Sequence, residues 1–298
     1  MIRYLRLWLL TLNSVVATGV WGQQKIPFSM GEANGKIATG AIQEASGLVA
    51  SAENPGFLWT HNDSGDAARI FLLNDSAQLA ATYYLSGIVA RDWEDIGRMT
   101  RSGQHYLLIG DVGDNGSRYS SIRIHMVNEP VVPDETPFVD TIPAADIHTF
   151  ILTFENGPRD AESLFYDPMD NYLYVISKRE LHAGVYRTVL PEPTGVGTEA
   201  DTLRLTQVGS IPETFITSAD ISSDGTEILV KNLLNVFYWK RKPGETVAQT
   251  LGRPATHLPY RPEPQGEAIA FSCNGEGYYT LSEAVFGLPA ILYFYRRH

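Results

Sequence analysis

A motif that recurs about every 50 residues limits the folds open to this chain more than any other feature of its sequence. Its copies align on an apolar residue at positions 48, 96, 164, 221 and 269, which are 48, 68, 57 and 48 residues apart. After each copy comes a turn and then a second apolar segment that ends in polar or charged residues. A period of this length is typical of β-propellers, in which each repeat is a four-stranded blade.

The segments between these copies favour strands over helices. They are short, rich in Tyr, Phe, Val and Ile, and separated by Gly, Pro, Asn and Asp, with no long apolar pattern of helical period. We therefore predict an all-β chain that folds as a single β-propeller of four-stranded antiparallel blades. The repeats divide it into units at residues 44–88, 89–155, 156–212, 213–260 and 261–298.

The number of blades follows from these units. Five blades is the direct count, and six is the alternative if residues 129–154 contain a degenerate blade. The last unit has only three clear strands. We therefore expect an N-terminal strand near residues 36–42 to complete that unit and close the ring.

The N-terminus favours an exported protein. Two arginines precede an apolar stretch at residues 7–16, and small residues follow it. This pattern predicts a signal peptide over residues 1–22 and a propeller domain over residues 23–298, in a secreted or periplasmic protein. Because the stretch is shorter than the roughly 20 residues that span a membrane, no stable membrane anchor is expected; an uncleaved anchor is the alternative.

Charge and cysteine content argue against several classes of protein. The chain has 34 acidic residues against 23 Lys plus Arg, a formal net charge of −11, which argues against nucleic acid as a partner. Cys273 is the only cysteine, so the chain cannot form an internal disulfide. It also has no Gly-x-Ser-x-Gly motif, phosphate-binding glycine loop or His-Glu-x-x-His zinc motif.

Polar residues gather at two positions of the repeat. In a propeller blade the first strand lines the central channel and the second runs back beside it, so the start of one and the end of the other meet on one face. Both positions are polar or charged in most copies. The residues expected on this face are His61, Asn62, Asp63, Arg91, Asp92, Glu94, Asp111, Asp114, Asn115, Asp160, Glu162, Lys178, Arg179, Lys231 and Glu267.

These motifs also carry a resemblance to known proteins. Residues 59–66, 92–96, 110–115, 219–225 and 265–269 resemble a family of secreted, largely uncharacterised bacterial β-propeller proteins. The chain is more distantly similar to the phytase-like, gluconolactonase-like and NHL-type propellers, in which calcium commonly lies in or near the channel and some members hydrolyse phosphoesters or lactones. The resemblance implies the architecture and the acidic strand starts, and it does not transfer a catalytic mechanism.

The crowded carboxylates on this face predict a cation site. Like charges so close together have to be neutralised by protons, by basic residues or by a metal ion. Carboxylate, amide and carbonyl oxygens suit Ca²⁺ better than a transition metal, so Ca²⁺ is the expected cofactor. For residues 111–116 the alternative is a turn in which Asp and Asn side chains cap their own backbone. The predicted metal ligands are Asp92, Asp111, Asp114, Asn115 and Asp160.

The basic residues on the same face allow two interpretations. They either compensate the carboxylates as a ring of salt bridges, or they bind a phosphate or carboxylate group that a metal bridges to the acids. One carboxylate or His61 would then act as a general base, although His61 could equally pack on a strand end. The ligand-binding candidates are Asn62, Asp63, Arg91, Lys178, Arg179 and Lys231, and the catalytic candidates are His61, Glu94, Glu162 and Glu267.

These features lead to one main functional hypothesis and one rival. The main hypothesis is a secreted propeller with a pocket of mixed charge that binds a cation and a small anionic or polar ligand. Hydrolysis of a phosphoester or a lactone is the reaction to test first. The rival is a non-catalytic binding or scaffolding propeller whose channel charges are structural. Both hypotheses leave room for a protein partner.

Overall fold

The computed structural model of the chain describes residues 26–192, 202–285 and 287–298. Strands account for 52% of the chain and helices for 3%, which confirms the all-β prediction. The predicted signal peptide at residues 1–22 lies outside the described residues. Among the described residues, no helix has the length and hydrophobicity that a membrane crossing requires.

The strands are short and follow one another along the whole described chain, as the close spacing of turn residues predicts. Among the described residues there are also two short helices, a 3₁₀ helix (Ala144–Asp146) and α1 (Val247–Leu251). The strands are β1 (Glu32–Lys36), β2 (Ala45–Ala50), β3 (Phe57–Asn62), β4 (Arg69–Asn74), β5 (Leu79–Leu85), β6 (Trp93–Arg101), β7 (Gln104–Asp111), β8 (Ile122–Asn128), β9 (Phe138–Ile142), β10 (Ile147–Phe154), β11 (Ala161–Asp167), β12 (Tyr172–Ser177), β13 (Ala183–Thr188), β14 (Thr202–Ile211), β15 (Ile216–Ile221), β16 (Glu227–Asn232), β17 (Val236–Lys240), β18 (Thr256–Leu258), β19 (Gly266–Phe271), β20 (Gly277–Ser282) and β21 (Ile291–Arg296).

These strands pair in five antiparallel units of four strands, which we number 1 to 5. The order within them is β2-β3-β4-β5, β6-β7-β8-β10, β11-β12-β13-β14, β15-β16-β17-β18 and β19-β20-β21-β1. Two parallel pairings extend these units into larger sheets. β9 pairs with β5 and makes unit 1 a five-stranded sheet, and β10 pairs with β14 and joins units 2 and 3 into an eight-stranded sheet.

Residues 129–154 differ from a degenerate blade. Their first strand, β9, leaves unit 2 and lies along the edge of unit 1, and their second strand, β10, returns to unit 2. Both strands therefore belong to the sheets of units 1 and 2, and these residues form no separate sheet.

The N-terminal strand completes unit 5, as the missing fourth strand of that unit predicts. β1 pairs antiparallel with β21, the third strand of the unit. It ends at Lys36, whereas the sequence suggests a strand over residues 36–42. The segment after β1 is not a strand; within it, Ile37 and Ile42 are buried and pack into an apolar cluster with residues of units 1 and 5.

Apolar side chains fill the spaces between successive units. The first strands of neighbouring units contact each other in chain order, and β19 of unit 5 also contacts β2 of unit 1. A separate apolar cluster lies at each of these junctions. Buried examples are Trp59 and Ile109 between units 1 and 2, Leu108 and Val175 between units 2 and 3, Tyr174 and Phe237 between units 3 and 4, Leu229 and Tyr278 between units 4 and 5, and Leu281 and Leu58 between units 5 and 1.

Every first strand contains a bulge near its start. At this point the register between the first and second strands shifts by one residue, and the extra residue has no partner opposite. A bulge bends the strand and redirects the side chain of the extra residue. The residues at the bulges are Gly47, Glu94, Glu162, Thr217 and Glu267.

The bulges correct the sequence alignment at two of its five copies. The apolar residue two positions after the bulge is Ile96, Leu164 and Ile269 in units 2, 3 and 5, as aligned. In unit 1 this residue is Val49 rather than Leu48, and in unit 4 it is Ala219 rather than Ile221. The apolar pattern is ambiguous there, because several neighbouring apolar residues fit it and the extra residue cannot be recognised from hydrophobicity.

Candidate functional site

Carboxylates from four strand ends come together where the first strands begin and the second strands end. Oxygen atoms of Asp63, Asp92 and Glu94 all lie within 4.8 Å of one another, and so do oxygen atoms of Asp63, Glu267 and Glu283. Asp63 therefore belongs to both groups. Together with one further buried glutamate, these residues form what we call the carboxylate cluster: Asp63, Asp92, Glu94, Glu162, Glu267 and Glu283.

Three members of the carboxylate cluster are the bulge residues of their units. Glu94, Glu162 and Glu267 are 3%, 2% and 6% exposed. Strict strand alternation would assign each of these side chains to one face of its sheet, but the bulge frees it from the ladder and re-aims it. The same local irregularity in units 2, 3 and 5 therefore brings three glutamates to the site.

Two other members occupy equivalent positions just after the second strand. The backbone N–H of Asp63 donates to the carbonyl of Glu44 at 2.8 Å, and that of Glu283 donates to the carbonyl of Gln265 at 3.1 Å. In unit 3 the same contact joins Lys178 to Asp160 at 3.0 Å. The fold thus presents Asp63, Lys178 and Glu283 as equivalent residues of three units, with two negative charges and one positive charge.

Burial and mutual repulsion raise the pKa of these carboxyl groups. Loss of hydration is the main cause for each, and neighbouring carboxylates add to it. The pKa of Asp92 rises to about 6, that of Glu283 to about 7 and that of Glu162 to about 8. For Glu94 the pKa is raised well above its ordinary value by burial, Glu162 and Asp63. Without a bound cation, the carboxylate cluster therefore retains protons near neutral pH.

Lys178 is the basic residue within the carboxylate cluster. Its ammonium group donates a hydrogen bond to Glu162 Oε1 and its side chain is 12% exposed. Burial lowers the pKa of Lys178, but the charges of Glu162, Glu267 and Glu94 outweigh this effect and leave the pKa raised. The pKa of Glu162 therefore rises mainly because the group is buried, whereas that of Lys178 rises because negative charges surround it.

One oxygen of Glu162 has no donor. Among the described residues, no group donates a hydrogen bond to Glu162 Oε2, which is buried. A buried carboxylate oxygen left unsatisfied costs free energy that a proton, a ligand or a cation would recover. At this oxygen the protein therefore leaves a position open for a proton, a ligand or a cation.

The other predicted metal ligands accept hydrogen bonds from the protein. Asp160 accepts from the backbone N–H of Asp114 at 2.9 Å and forms an ion pair with Arg179, and Asp114 accepts from the backbone N–H of Tyr119 at 2.7 Å. Asn115 accepts a hydrogen bond from Arg179. These contacts fold residues 114–119 into a turn against unit 3, so Asp114, Asn115 and Asp160 act first as structural acceptors.

Asp111 is held in the same way by two arginines. It is fully buried, accepts from the backbone N–H of Asp92 at 3.0 Å, and lies 3.4 Å from Arg91 and 3.3 Å from Arg123. The Arg91 guanidinium also stacks 3.9 Å above the centre of the Tyr119 ring. Arg91 and Arg179 are thus engaged in local salt bridges, whereas Lys178 faces the carboxylate cluster.

Lys231 occupies a buried position beside unit 5. It is fully buried, donates to the carbonyls of Gly266 and Asn232, and lies 5.0 Å from the centre of the Tyr260 ring. Burial lowers the pKa of Lys231 to about 8, although the charges of Glu263 and Glu267 act in the opposite direction. Lys231 therefore compensates charge from within the wall of the site.

His61 and Asn62 also lie in the wall of the site. His61 is fully buried, with Nδ1 2.8 Å from the carbonyl oxygen of Asn62 and its ring edge-on to Trp93. Burial lowers the pKa of His61 to about 4, so the ring is neutral at physiological pH. The Asn62 side chain accepts from the backbone of Gln43 at 3.1 Å and donates to the carbonyl of Ala41 at 2.8 Å.

A second layer of buried polar residues, which the sequence pattern does not indicate, lies below the carboxylate cluster. Asp95 is fully buried and accepts from Leu164 N at 2.9 Å, Ile96 N at 3.0 Å and Ser218 Oγ at 3.2 Å. Burial raises the pKa of Asp95 well above its ordinary value. The Asp95–Ser218 contact joins the first strands of units 2 and 4. Glu283 could have been found from its place after a second strand, but nothing in the sequence around Asp95 reveals its partners.

No protein-family model matches the chain, and no curated protein is significantly similar to it.

Proposed function

We propose that the five units are the blades of a five-bladed β-propeller that β1 closes. Two observations support this proposal. The first strands contact one another in chain order, with β19 returning to β2, and an apolar cluster fills each of the five junctions between units. The carboxylate cluster would then surround the mouth of the central channel in an exported protein, as residues 1–22 favour.

We further propose that the carboxylate cluster binds a divalent cation with a preference for oxygen ligands, Ca²⁺ in the first instance. The observation that carries this proposal is that Asp63 belongs to two groups of three carboxylates whose oxygens lie within 4.8 Å of one another. Two oxygens bound to one Ca²⁺ at roughly 2.3–2.6 Å are at most about 5 Å apart, so the spacing suits this ion. A bound cation would also replace the protons that the raised pKa values indicate.

An anionic or polar small ligand would bind beside this cation. Lys178 supplies a positive charge on one side, and a cavity of about 380 Å³ borders Asp92 on the other side. Asn115, Arg118 and Tyr119 also line this cavity and offer hydrogen-bond donors. A phosphate or carboxylate group that coordinates the cation would find its remaining oxygens near these donors.

Thermal melting with and without Ca²⁺ tests the cation site. At about 100 times Kd, the cation adds about 3 kcal/mol to the free energy of unfolding and raises Tm by roughly 5–10 °C in a chain of this size, and EDTA reverses the shift. Asp63→Asn, which affects both groups of carboxylates, is expected to remove most of the shift. Asp134→Asn, in an exposed loop, is the matched control and retains it. A wild-type Tm that is insensitive to Ca²⁺ and EDTA contradicts the proposal.

Hydrolysis of a phosphoester or a lactone is the second candidate function. It is favoured by Glu162, because a carboxyl group with a pKa of about 8 and one unsatisfied oxygen can exchange protons near neutral pH. Turnover of p-nitrophenyl phosphate or δ-valerolactone in the presence of Ca²⁺ would support it. Glu162→Gln should then lose turnover but keep the Ca²⁺ shift of Tm. Turnover of neither substrate class, with the Ca²⁺ shift intact, favours the non-catalytic binding propeller.

A further inference from the structure

The opposite end of the first strands holds a second cavity with a different chemistry. It has a volume of about 280 Å³ and takes lining residues from all five units, among them Arg98 of unit 2, Phe165 of unit 3, Ile221 of unit 4 and Cys273 of unit 5. Along β6, the fully buried Asp95 lies between Arg98 and the carboxylate cluster. This cavity is therefore separate from the proposed cation site.

Arg98 is the charged group best able to receive a ligand in this cavity. Its guanidinium donates to Cys273 Sγ at 3.7 Å, and within the described part of the chain it forms no salt bridge of 4 Å or less. Burial raises the pKa of Asp220, and the positive charge of Arg98 partly lowers it. Asp220 also lines the cavity, but its two oxygens already accept from the backbone N–H groups of Ile221 at 2.8 Å and Phe271 at 2.7 Å. The planar donors of Arg98 remain available for a carboxylate.

The rest of the lining suits a small apolar body. Phe165 and Ile221 are buried and supply an apolar wall, and the hydroxyl groups of Thr100 and Ser222 lie among the other lining residues. A volume of about 280 Å³ is close to the lower end of the roughly 300–1,000 Å³ that ligand cavities span. We propose that this cavity binds a small organic anion, with its carboxylate on Arg98 and its apolar part against Phe165 and Ile221.

Cys273 provides a built-in reporter of this binding. It is the only cysteine of the chain, it is exposed, and it lines the cavity beside Arg98. Alkylation by iodoacetamide or iodoacetate forms one sulfur–carbon bond and releases iodide, and the two reagents differ mainly in charge. Arg98 should favour the anionic reagent, so the ratio of the rate constant for iodoacetate to that for iodoacetamide should exceed the ratio for free cysteine. One charge at roughly 6 Å changes such a ratio by about 3- to 10-fold at the dielectric constants of a partly exposed site.

Benzoate is the probe for ligand binding. We expect benzoate to slow the alkylation of Cys273 by iodoacetamide in a saturable manner, and benzyl alcohol at the same concentration to protect much less. Arg98→Gln should lower both the protection and the reagent ratio, Arg98→Lys should keep most of both, and Arg204→Gln, at an exposed site, should change neither.

Three results would overturn the proposal. The first is a wild-type protein that benzoate does not protect. The second is a reagent ratio equal to that of free cysteine, which needs no variant and so holds even if Arg98→Gln fails to fold. The third is equal protection of the wild type and a folded Arg98→Gln, which would remove Arg98 as the anion-binding group.

Discussion

Replacing Glu162 with Gln should stabilise the protein in the absence of divalent cations, and more so as the pH rises. In the folded state burial, and then neighbouring acids, raise the pKa of Glu162 from an ordinary value of 4.5 to about 8. The folded protein therefore holds a proton on Glu162 at pH values where the unfolded chain has lost it. Because the folded state binds more protons in this window, the wild type loses stability as the pH rises from about 4.5 to about 8.

The size of the effect follows from the width of that window. At pH 7, which is 2.5 units above the ordinary pKa, the raised pKa of Glu162 lowers the free energy of unfolding by about 3 kcal/mol. At pH 5 it lowers the free energy of unfolding by less than about 1 kcal/mol. Gln has the same shape, carries no charge, and can still accept the hydrogen bond from Lys178. The Tm of Glu162→Gln should therefore exceed that of the wild type by roughly 5–10 °C at pH 7 and by a small margin at pH 5.

The assay is thermal unfolding followed by circular dichroism in EDTA, at pH 5, 6, 7 and 8. Glu135→Gln is the control, because its carboxylate lies in an exposed loop and its removal should leave Tm nearly unchanged at every pH. A variant that is less stable than the wild type at pH 7 would refute the reasoning. It would mean that Glu162 is ionised there and that its ion pair with Lys178 contributes net stability.

Three further substitutions test the contacts within and between the units by the shift that each causes in a urea denaturation midpoint. Gly47→Ala should cost about 2–3 kcal/mol, because its φ is +69° and a Cβ would lie 2.7 Å from Ile96 N. Asp95→Ala should cost about 3 kcal/mol, because it removes the acceptor for two buried backbone N–H groups; Asp95→Asn keeps one acceptor and should cost less. Arg297→Met should cost about 1–2 kcal/mol, because Arg297 makes two hydrogen bonds with Glu227 that join unit 5 to unit 4. For any of these variants, a denaturation midpoint within error of the wild-type value would contradict the contact assigned to that residue.

The repeat in the sequence predicts the number of units and the strand ends at which charged residues meet. Both depend only on the order of the strands along the chain and on their direction. It places Glu94, Glu162 and Glu267 correctly at the starts of first strands and Asp63 and Lys178 after second strands. It does not distinguish these residues from Asp111, whose partner Arg123 lies on the neighbouring strand of the same unit. Side-chain partners across strands depend on register, and register depends on bulges that hydrophobicity does not reveal.

The distribution of positive and negative charges in the carboxylate cluster bears on whether these charges are purely structural. A structural ring would be most stable if acids and bases alternated, because like charges about 5 Å apart repel by about 3 kcal/mol even at an effective dielectric constant of 20. Asp63 instead lies between two pairs of acids, and of the three equivalent residues Asp63, Lys178 and Glu283 only one is basic. Lys231 compensates negative charge in unit 5 from within the wall, and Lys178 forms a salt bridge with Glu162 in unit 3. Within the described residues neither Asp63 nor Asp92 forms a salt bridge, although the charges of Lys178 and Arg91 act on them from further away. A bound cation would therefore stabilise the folded protein most at the side of the carboxylate cluster around Asp63, and removing the cation would destabilise that side first.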